Sequence, residues 1–510
     1  MTSQATAPAA TIPVHGPANG SVVGVVSENS AADVGAVVSG IRAAQPAWEA
    51  LGARGRAAWL VRYGEWLQAH QTELGALLQS ETGKPWQEAT FEIPLALDVL
   101  SYCARNAARF LADEHPKPHG LLTAAKKLTV TRRPYPVVGV ICPWNFPLLI
   151  ALVDALPALA AGAAVAVKPS ELTPLATQRA IDGWREIAAP DVFACITGAR
   201  ATGAAIVDEV DFIQFTGSTT TGRAVAGRAA ERLIPCSLEL GGKDAAIVLA
   251  DADLERAANG VVWGSLFNAG QACVGIERVY VESGVHDEFA ERVTTKVAAL
   301  RQGQDGRDYQ MDVGAMASEA QLQIAEGQVR DAIAKGARIL TGGRRAGTAG
   351  TFFEPTVLTN VDHSMDIMRE ETFGPTIPIM RVTSVDEAIR LANESCYGLS
   401  ATVWTRDRAR ARRIARTIEV GSVNINDTFT NLFTFGVPHS GWKQSGLGAR
   451  LGGAYCVQKY CRTQAVTETR IAGKSEVLWY PYSARKGRLL SVLMRIAHVV
   501  DRHPRLHGSH

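Results

Sequence analysis

The feature that most constrains this chain is an alternation repeated along its length. Short, wholly apolar runs of strand length are followed by longer segments with helical spacing. Val137–Ile141, Ala164–Lys168, Asp211–Phe215, Cys236–Glu239 and Ala245–Leu249 are runs of the first kind. Strands apolar on both faces must be covered on both, which is the situation of a parallel sheet between two helix layers. Ser30 is placed to cap a helical stretch reaching His70. Further helical stretches follow Asn145, begin near Pro174 and span Thr221–Glu231. A second block, from about Leu254 to Asn426, alternates in the same way, with strands at Arg278–Val281, Ala337–Thr341, Thr376–Met380 and Ser400–Trp404. The predicted class is α/β with two α/β domains, and 510 residues suffice for two to four domains at about 150 residues each.

Several classes of function are disfavoured. A formal net charge of +2 gives no reason to expect a nucleic-acid partner. The eight cysteines are scattered without CxxC or Cys/His ligand spacing, so no metal site is expected and a reducing, cytoplasmic setting fits. The first residues lack a basic and then apolar signal segment and read as a mobile arm. Leu148–Val167 imitates a membrane span, yet it contains Asp154, Pro157 and Gly162. A buried helix to about Ala160, a stop at Gly162 and a buried strand at Ala164–Lys168 fit better.

Two stretches, Lys127–Arg133 and Ala465–Thr469, alternate polar and apolar residues. They could add strands to another subunit or form an ordinary edge hairpin. Near the C-terminus, Leu489–Val500 is apolar and follows Arg485, Lys486 and Arg488, with Asp501 the only acid after Glu476. Such a helix could lie on an anionic membrane surface or dock on protein.

Four stretches carry chemical potential. Cys273 closes Phe267-Asn268-Ala269-Gly270-Gln271-Ala272-Cys273, where small residues let backbone approach a ligand. As a thiolate it would be a nucleophile; taken alone, it is as readily a small core residue. Glu239 precedes Gly241-Gly242 at a strand end, where α/β sheets bind ligands. A desolvated glutamate there can act as a base, or it can pair with a nearby cation. Asn145 follows the Val137–Ile141 strand, and its amide can donate to an oxyanion or cap a helix. Gly217, Ser218 and Gly222 link a strand to a helix N-terminus, a place that attracts phosphate.

Taken together, these stretches resemble the aldehyde dehydrogenase superfamily over about residues 20–470. The matching motifs are Pro143-Trp144-Asn145-Phe146-Pro147, Val167-Lys168-Pro169-Ser170-Glu171, Phe215-Thr216-Gly217-Ser218-Thr219, Leu238-Glu239-Leu240-Gly241-Gly242-Lys243, Gly270-Gln271-Ala272-Cys273, Phe353-Glu354-Pro355-Thr356, Glu370-Glu371-Thr372-Phe373-Gly374-Pro375 and Tyr397-Gly398-Leu399. The resemblance implies a Rossmann-like cofactor domain over 21–120 and 135–240 and a catalytic α/β domain over 241–445. It also implies a small β oligomerisation arm from 121–134 and 446–470, giving a homodimer or homotetramer. A mobile arm over 1–20 and a basic amphipathic tail over 471–510 complete the expected organisation.

The same resemblance implies that Cys273 attacks a small-molecule aldehyde, with Asn145 and the Cys273 backbone N–H holding the oxyanion. Glu239 would activate the water that hydrolyses the thioester. A glutamate at that position favours release of a free acid over transfer to CoA. Lys168, Ser170, Glu171 and Gly203 would bind the adenosine half of NAD, Gly217 and Ser218 the pyrophosphate, and Glu371 and Phe373 the nicotinamide ribose. Glu171 favours NAD⁺, while Lys168 and Ser170 leave NADP⁺ open.

The helix after Asn145 would line a substrate tunnel with Phe146, Leu149, Ile150 and Val153, suiting an aliphatic or aromatic aldehyde. The segment Pro438-His439-Ser440-Gly441 departs from the family's Pro-Phe-Gly-Gly. His439, at the tunnel, would allow a polar substrate such as succinate semialdehyde.

Overall fold

The computed structural model describes residues 10–119, 122–347, 349–448 and 450–500. The first nine residues of the expected N-terminal arm and residues 501–510 of the expected tail lie outside these. Two compact units divide the chain, one from the residues up to Phe110 with Pro134–Tyr460, the other from Leu111–Arg133 with Cys461 onward.

The larger unit begins with a hairpin, Thr11–His15 pairing antiparallel with Val22–Ser27. Residues 11–20 are therefore part of a paired structure and not a mobile arm. Val14 and Val26 are buried, which gives this stretch an apolar anchor that its polar surroundings conceal. A helical layer follows, made of Ala31–Ala50, Gly52–Ala69, Gln71–Thr82 and Trp86–Phe110. Ser30 opens it with a capping box, its side chain accepting from Asp33 N while the Asp33 carboxylate accepts from Ser30 N.

The first sheet has six strands in the order Gly446–Leu447, Cys236–Glu239, Phe212–Thr216, Val137–Ile141, Ala164–Lys168, Phe193–Cys195. All neighbours are parallel except the first pair, where Gly446 and Leu447 run antiparallel to Glu239 and Leu238. The chain runs outward from Val137–Ile141 through two strands on one side, then returns to its other side with Phe212–Thr216. Such a reversal leaves a crevice at the strands' carboxyl ends, where this architecture binds ligands.

The second sheet has seven strands: Arg338–Thr341, Thr356–Thr359, Thr376–Val382, Ile276–Glu282, Asp244–Val248, Ser400–Trp404, Ser422–Ile425. Only the first pair is antiparallel. Apolar clusters cover both faces of this sheet, one around Ile247, Tyr280 and Val403, the other around Val248, Val279 and Phe289.

The membrane-like stretch folds into this unit as a helix, Pro147–Ala161, and a strand, Ala164–Lys168. The helix ends at Gly162 in the left-handed conformation, φ 105°, as its sequence predicts. Among the described residues, no helix is long and apolar enough to cross a membrane.

The smaller unit contains a two-stranded ribbon of Lys126–Pro134 and Cys461–Thr469, then the helix Ala484–Val500. The expected arm segment 446–470 is thus corrected. Gly446–Leu447 completes the six-stranded sheet, and Tyr455–Gln458 is a helical turn of the larger unit. Leu451, Val457 and Tyr460 are buried there, so the segment before Cys461 has apolar anchors that the period-two signal at 465–469 does not reveal.

A buried ion pair fixes where the Pro147–Ala161 helix starts. Lys84 Nζ lies 2.6 Å from Glu92 Oε1, with both side chains almost wholly buried. The other Glu92 oxygen accepts from Leu149 N at 2.9 Å, and the ammonium lies over the Phe146 ring. Removing one partner of such a pair strands the other charge, at a cost of about 3–5 kcal/mol. Lys84→Met is expected to lower unfolding free energy by about that amount in denaturant titration. A loss below about 1 kcal/mol would show that the pair does not hold the helix.

Candidate active site

Cys273 lies in a loop ahead of the Ile276–Glu282 strand, at the amino edge of the second sheet. Asn268, Ala269 and Gly270 hold consecutive positive φ values of 57°, 53° and 73°. Gly270 is required there, because a Cβ would come 2.1 Å from Gly374 O.

Buried polar groups hold this conformation. Asn268 N donates to both oxygens of Glu88 at 3.1 Å, and Asn268 Nδ2 donates to Asn145 O and to Gln271 O. Burial pushes Glu88 up to about 7, against the Asn268 N–H, which favours its ionised form. Gln271 is fixed in turn, its Oε1 accepting from Ala317 N at 2.8 Å.

Asn145 reaches the same loop. Its Nδ2 donates to Gln271 O at 2.9 Å, two residues before the cysteine. An amide nitrogen has two N–H donors, so one remains for another acceptor. Asn145 Oδ1 is buried without a hydrogen-bond partner.

The turn after Glu239 closes on the loop from another side. A Cβ on Gly242 would lie 2.7 Å from Cys273 O, and one on Gly241 would lie 2.4 Å from the Glu371 carboxylate. Glu371 Oε1 accepts from Gly242 N at 3.0 Å. Burial, aided by Glu277, pushes Glu371 up to about 8. Glu277 fixes the next residues, accepting from Thr372 N at 2.7 Å and Phe373 N at 2.8 Å. The Phe373 ring sits edge-on to Trp144. Thiol loop, Asn145, the Glu239 turn and Glu371–Phe373 are therefore brought together.

An apolar tunnel leads to Cys273. Phe146, Leu149, Ile150 and Val153 line it from one helix face, together with Phe91, Leu95, Phe267, Leu432, Phe433 and Phe435. His439 does not line it. It is 1% exposed and burial holds it down at about 4, so it is uncharged at neutral pH. Its backbone instead bridges the next segment, His439 N donating to Leu451 O and Arg450 N to His439 O, each at 2.9 Å.

The charged residue in the tunnel wall is Arg450, which sequence reading missed. Its guanidinium pairs with Glu239 and Asp154, all three nearly without solvent exposure. The pairing reading of Glu239 is met by a cation distant in sequence. Asp154 was the available signal, since an acid in an all-apolar helix must find a cation.

At the carboxyl end of the first sheet, Lys168 is buried, its Nζ 3.7 Å from Glu171 Oε2. The Lys168 side chain packs beside Gly203, 3.5 Å from where a Cβ would be. Ser170 is buried and its Oγ accepts from Leu172 N. Gly217 and Ser218 lead into the helix Thr219–Glu231, where Ser218 Oγ accepts from Thr221 N. Thr216 Oγ1 is buried without a partner. An ammonium, hydroxyls, a carboxylate and an open helix N-terminus together match the ribose and pyrophosphate groups of a dinucleotide.

Two adjoining features define the class: a dinucleotide-type crevice, and a loop thiol at the end of an apolar tunnel. This is the arrangement of an oxidoreductase acting on a carbonyl carbon through sulfur. Residues 4–466 match the model of the aldehyde dehydrogenase family, and the chain belongs to that family. It is an NAD(P)-dependent aldehyde dehydrogenase, oxidising an aldehyde to a carboxylate.

A Mycolicibacterium smegmatis protein named "Putative succinate-semialdehyde dehydrogenase (NADP(+))" is 39% identical over 460 residues, 88% of each chain. A Methylomonas protein named 4,4'-diapolycopene aldehyde oxidase is 40% identical over 410 residues, 80% of this chain and 76% of its own. The solved structure of aldehyde dehydrogenase PutA from Anabaena variabilis, described as putative, superposes with TM-score 0.87 at 35% identity, covering 92% of this chain and all of the other.

Burial, with Asp244 and Glu371 nearby, pushes the Cys273 thiol up to about 12. A thiol so shifted keeps its proton through neutral pH, and its thiolate fraction grows tenfold per pH unit well beyond pH 9. Alkylation of Cys273 by iodoacetamide in the cofactor-free protein is expected to keep accelerating to pH 10.5, read by peptide mass mapping. A plateau between pH 8 and 9 would contradict this.

Proposed function

We propose that Cys273 is the nucleophile, Asn145 and the Cys273 backbone N–H the oxyanion donors, and Glu239 the base. The apolar tunnel with the Cys273 thiol at its end carries this reading, because it brings one reactive atom to one substrate channel. The Cys273 thiol gives up its proton to solvent as its sulfur bonds to the aldehyde carbon, and the carbonyl π pair moves to the oxygen, which Asn145 holds. The bound dinucleotide supplies the acceptor for the hydride that leaves that carbon. Glu239 takes a proton from water, whose oxygen bonds to the acyl carbon. The C–S electron pair returns to Cys273, which regains a proton as the acid departs. Lys168, Ser170, Glu171 and Gly203 bind the adenosine half, Gly217 and Ser218 the pyrophosphate, and Glu371 and Phe373 the nicotinamide ribose.

We propose further that the substrate is an extended apolar aldehyde. The tunnel wall is aliphatic and aromatic, and the guanidinium in it is already engaged by two carboxylates. A substrate carboxylate would meet no free cation among the lining residues. The Methylomonas relative is named a 4,4'-diapolycopene aldehyde oxidase.

The test is NAD(P)H absorbance with alkanals of two to twelve carbons and with succinate semialdehyde, both cofactors, with and without CoA. At about 0.8 kcal/mol per buried methylene, kcat/KM should climb several-fold per carbon until the tunnel is filled. It should exceed the succinate semialdehyde value at least ~10-fold, with no requirement for CoA and no activity in Cys273→Ala. Preference for succinate semialdehyde would overturn the substrate assignment.

The smaller unit supports two contacts. Residues 462–468 in the Cys461–Thr469 strand are exposed, and an exposed strand edge is a template for pairing with a second copy. Beyond it, Trp479, Tyr480 and Tyr482 are exposed beside Arg485 and Arg488, a composition suited to an anionic bilayer surface. Light scattering should give a dimer or tetramer, and a monomer would refute the first contact. The full chain should float with anionic but not neutral vesicles, and a chain ending at residue 475 with neither. Equal flotation of the two chains would refute the second.

A further inference from the structure

Arg450 is placed where a mere structural cation would not need to be. Its Nη2 lies 2.9 Å from Asp154 Oδ2, and its Nη1 meets Glu239 Oε2. Asp154 comes from the helix Pro147–Ala161 and Glu239 from the last position of its strand, so the guanidinium ties the tunnel helix to the candidate base. Neither Glu239 oxygen has a hydrogen-bond partner, so the ion pair to Arg450 is the contact that this buried carboxylate has among the described residues.

The arginine is itself fixed at both backbone ends, Arg450 N by His439 O at 2.9 Å and Arg450 O by Lys459 Nζ at 2.8 Å. Lys459 Nζ also reaches Gln214 Oε1 at 2.7 Å, on the strand next to Glu239. The other titratable groups around this cluster are Cys142, His439, Lys459, Tyr460 and Cys456, with Cys273 and Glu371 beyond the Gly241-Gly242 turn.

Resting on the reading of Glu239 as the base, we propose that Arg450, anchored by Asp154, is a positioning residue that holds the Glu239 carboxylate ionised against the tunnel wall. Two consequences follow from elementary electrostatics. An isolated carboxylate at so buried a place would hold a proton at neutral pH and could take none from water. Arg450 supplies the opposite charge that prevents this, and it divides that charge between Glu239 and Asp154. The pair thus governs hydrolysis of the thioester, with little influence on its formation.

Removal of Arg450 leaves two unpaired carboxylates, so the proton affinity of Glu239 rises. Removal of the Asp154 charge leaves Arg450 to Glu239 alone, so that affinity falls. The two variants therefore move the same titration in opposite directions.

The experiment acylates the full-length enzyme with NAD(P)⁺ and decanal in a rapid mix, then follows loss of the acyl mass from the protein between pH 5.5 and 10. Formation of the adduct, read as the NAD(P)H burst, is recorded in parallel. In Arg450→Met the acid limb of the deacylation profile should shift up by about one unit or more, with a ~10-fold slower loss at pH 7 and the burst retained. Arg450→Lys should shift less, and Asp154→Asn should shift the limb down.

Unshifted limbs, with rates merely scaled, would overturn the proposal. If Arg450→Met does not fold, an unshifted limb in Asp154→Asn alone overturns it. Failure of the underlying reading looks different. In that case Glu239→Gln deacylates like the native enzyme, or Cys273→Ala still gives a burst.

Discussion

A carboxylate taken out of water must be given donors or a counter-charge, and this chain uses that requirement to build its cleft. Glu92 accepts from Leu149 N in the first turn of the tunnel helix. Glu81 accepts from Leu175 N and Ala176 N. Glu88 grips Asn268 N in the thiol loop, and Glu277 grips Thr372 N and Phe373 N. Each acid comes from a regular element and each donor belongs to a loop or helix start. The irregular backbone that carries the site is thereby fixed to the scaffold by short bonds in a low-dielectric interior. Loss of any one acceptor would leave a loop or helix-start N–H unpaired, and loss of Glu92 or Glu277 would also strand Lys84 or Lys243.

The same low dielectric sets the chemistry. It keeps the Cys273 thiol protonated until something beside it stabilises the thiolate. It also strengthens the pull of the Arg450 guanidinium on Glu239, both side chains being nearly without solvent exposure. The tunnel contributes by being apolar along its length. An alkyl chain filling it displaces water from the reacting carbon, which favours a fixed amide and backbone N–H over solvent as partners for an oxyanion.

Much of this was legible in the sequence, and for identifiable reasons. Strands such as Val137–Ile141 and Ala164–Lys168 are buried on both faces and read as unbroken apolar runs. Ser30 and Gly162 mark helix ends because their side-chain chemistry is local. Helical spacing puts Phe146, Leu149, Ile150 and Val153 on one face, and the family resemblance makes that face a tunnel wall.

What escaped was non-local. Nothing near Asp154 or Glu239 in sequence announces Arg450, some three hundred and two hundred residues away. The principle that ligands gather at strand carboxyl ends locates the crevice by Lys168 and Thr216, yet Cys273 sits at the amino edge of the other sheet. His439 was misplaced because a histidine's character depends on burial, which its sequence neighbours do not reveal. Residues 11–20 were read as loose because Thr11–His15 finds its partner strand only across a hairpin.

The most direct measurement of the central claim is chemical. Glu239→Gln, mixed with an aldehyde and NAD(P)⁺ and digested without reduction, should yield one acylated peptide, the one containing Cys273, at near one equivalent per chain. An acyl group on another cysteine, or none despite hydride transfer, would contradict a thioester at Cys273.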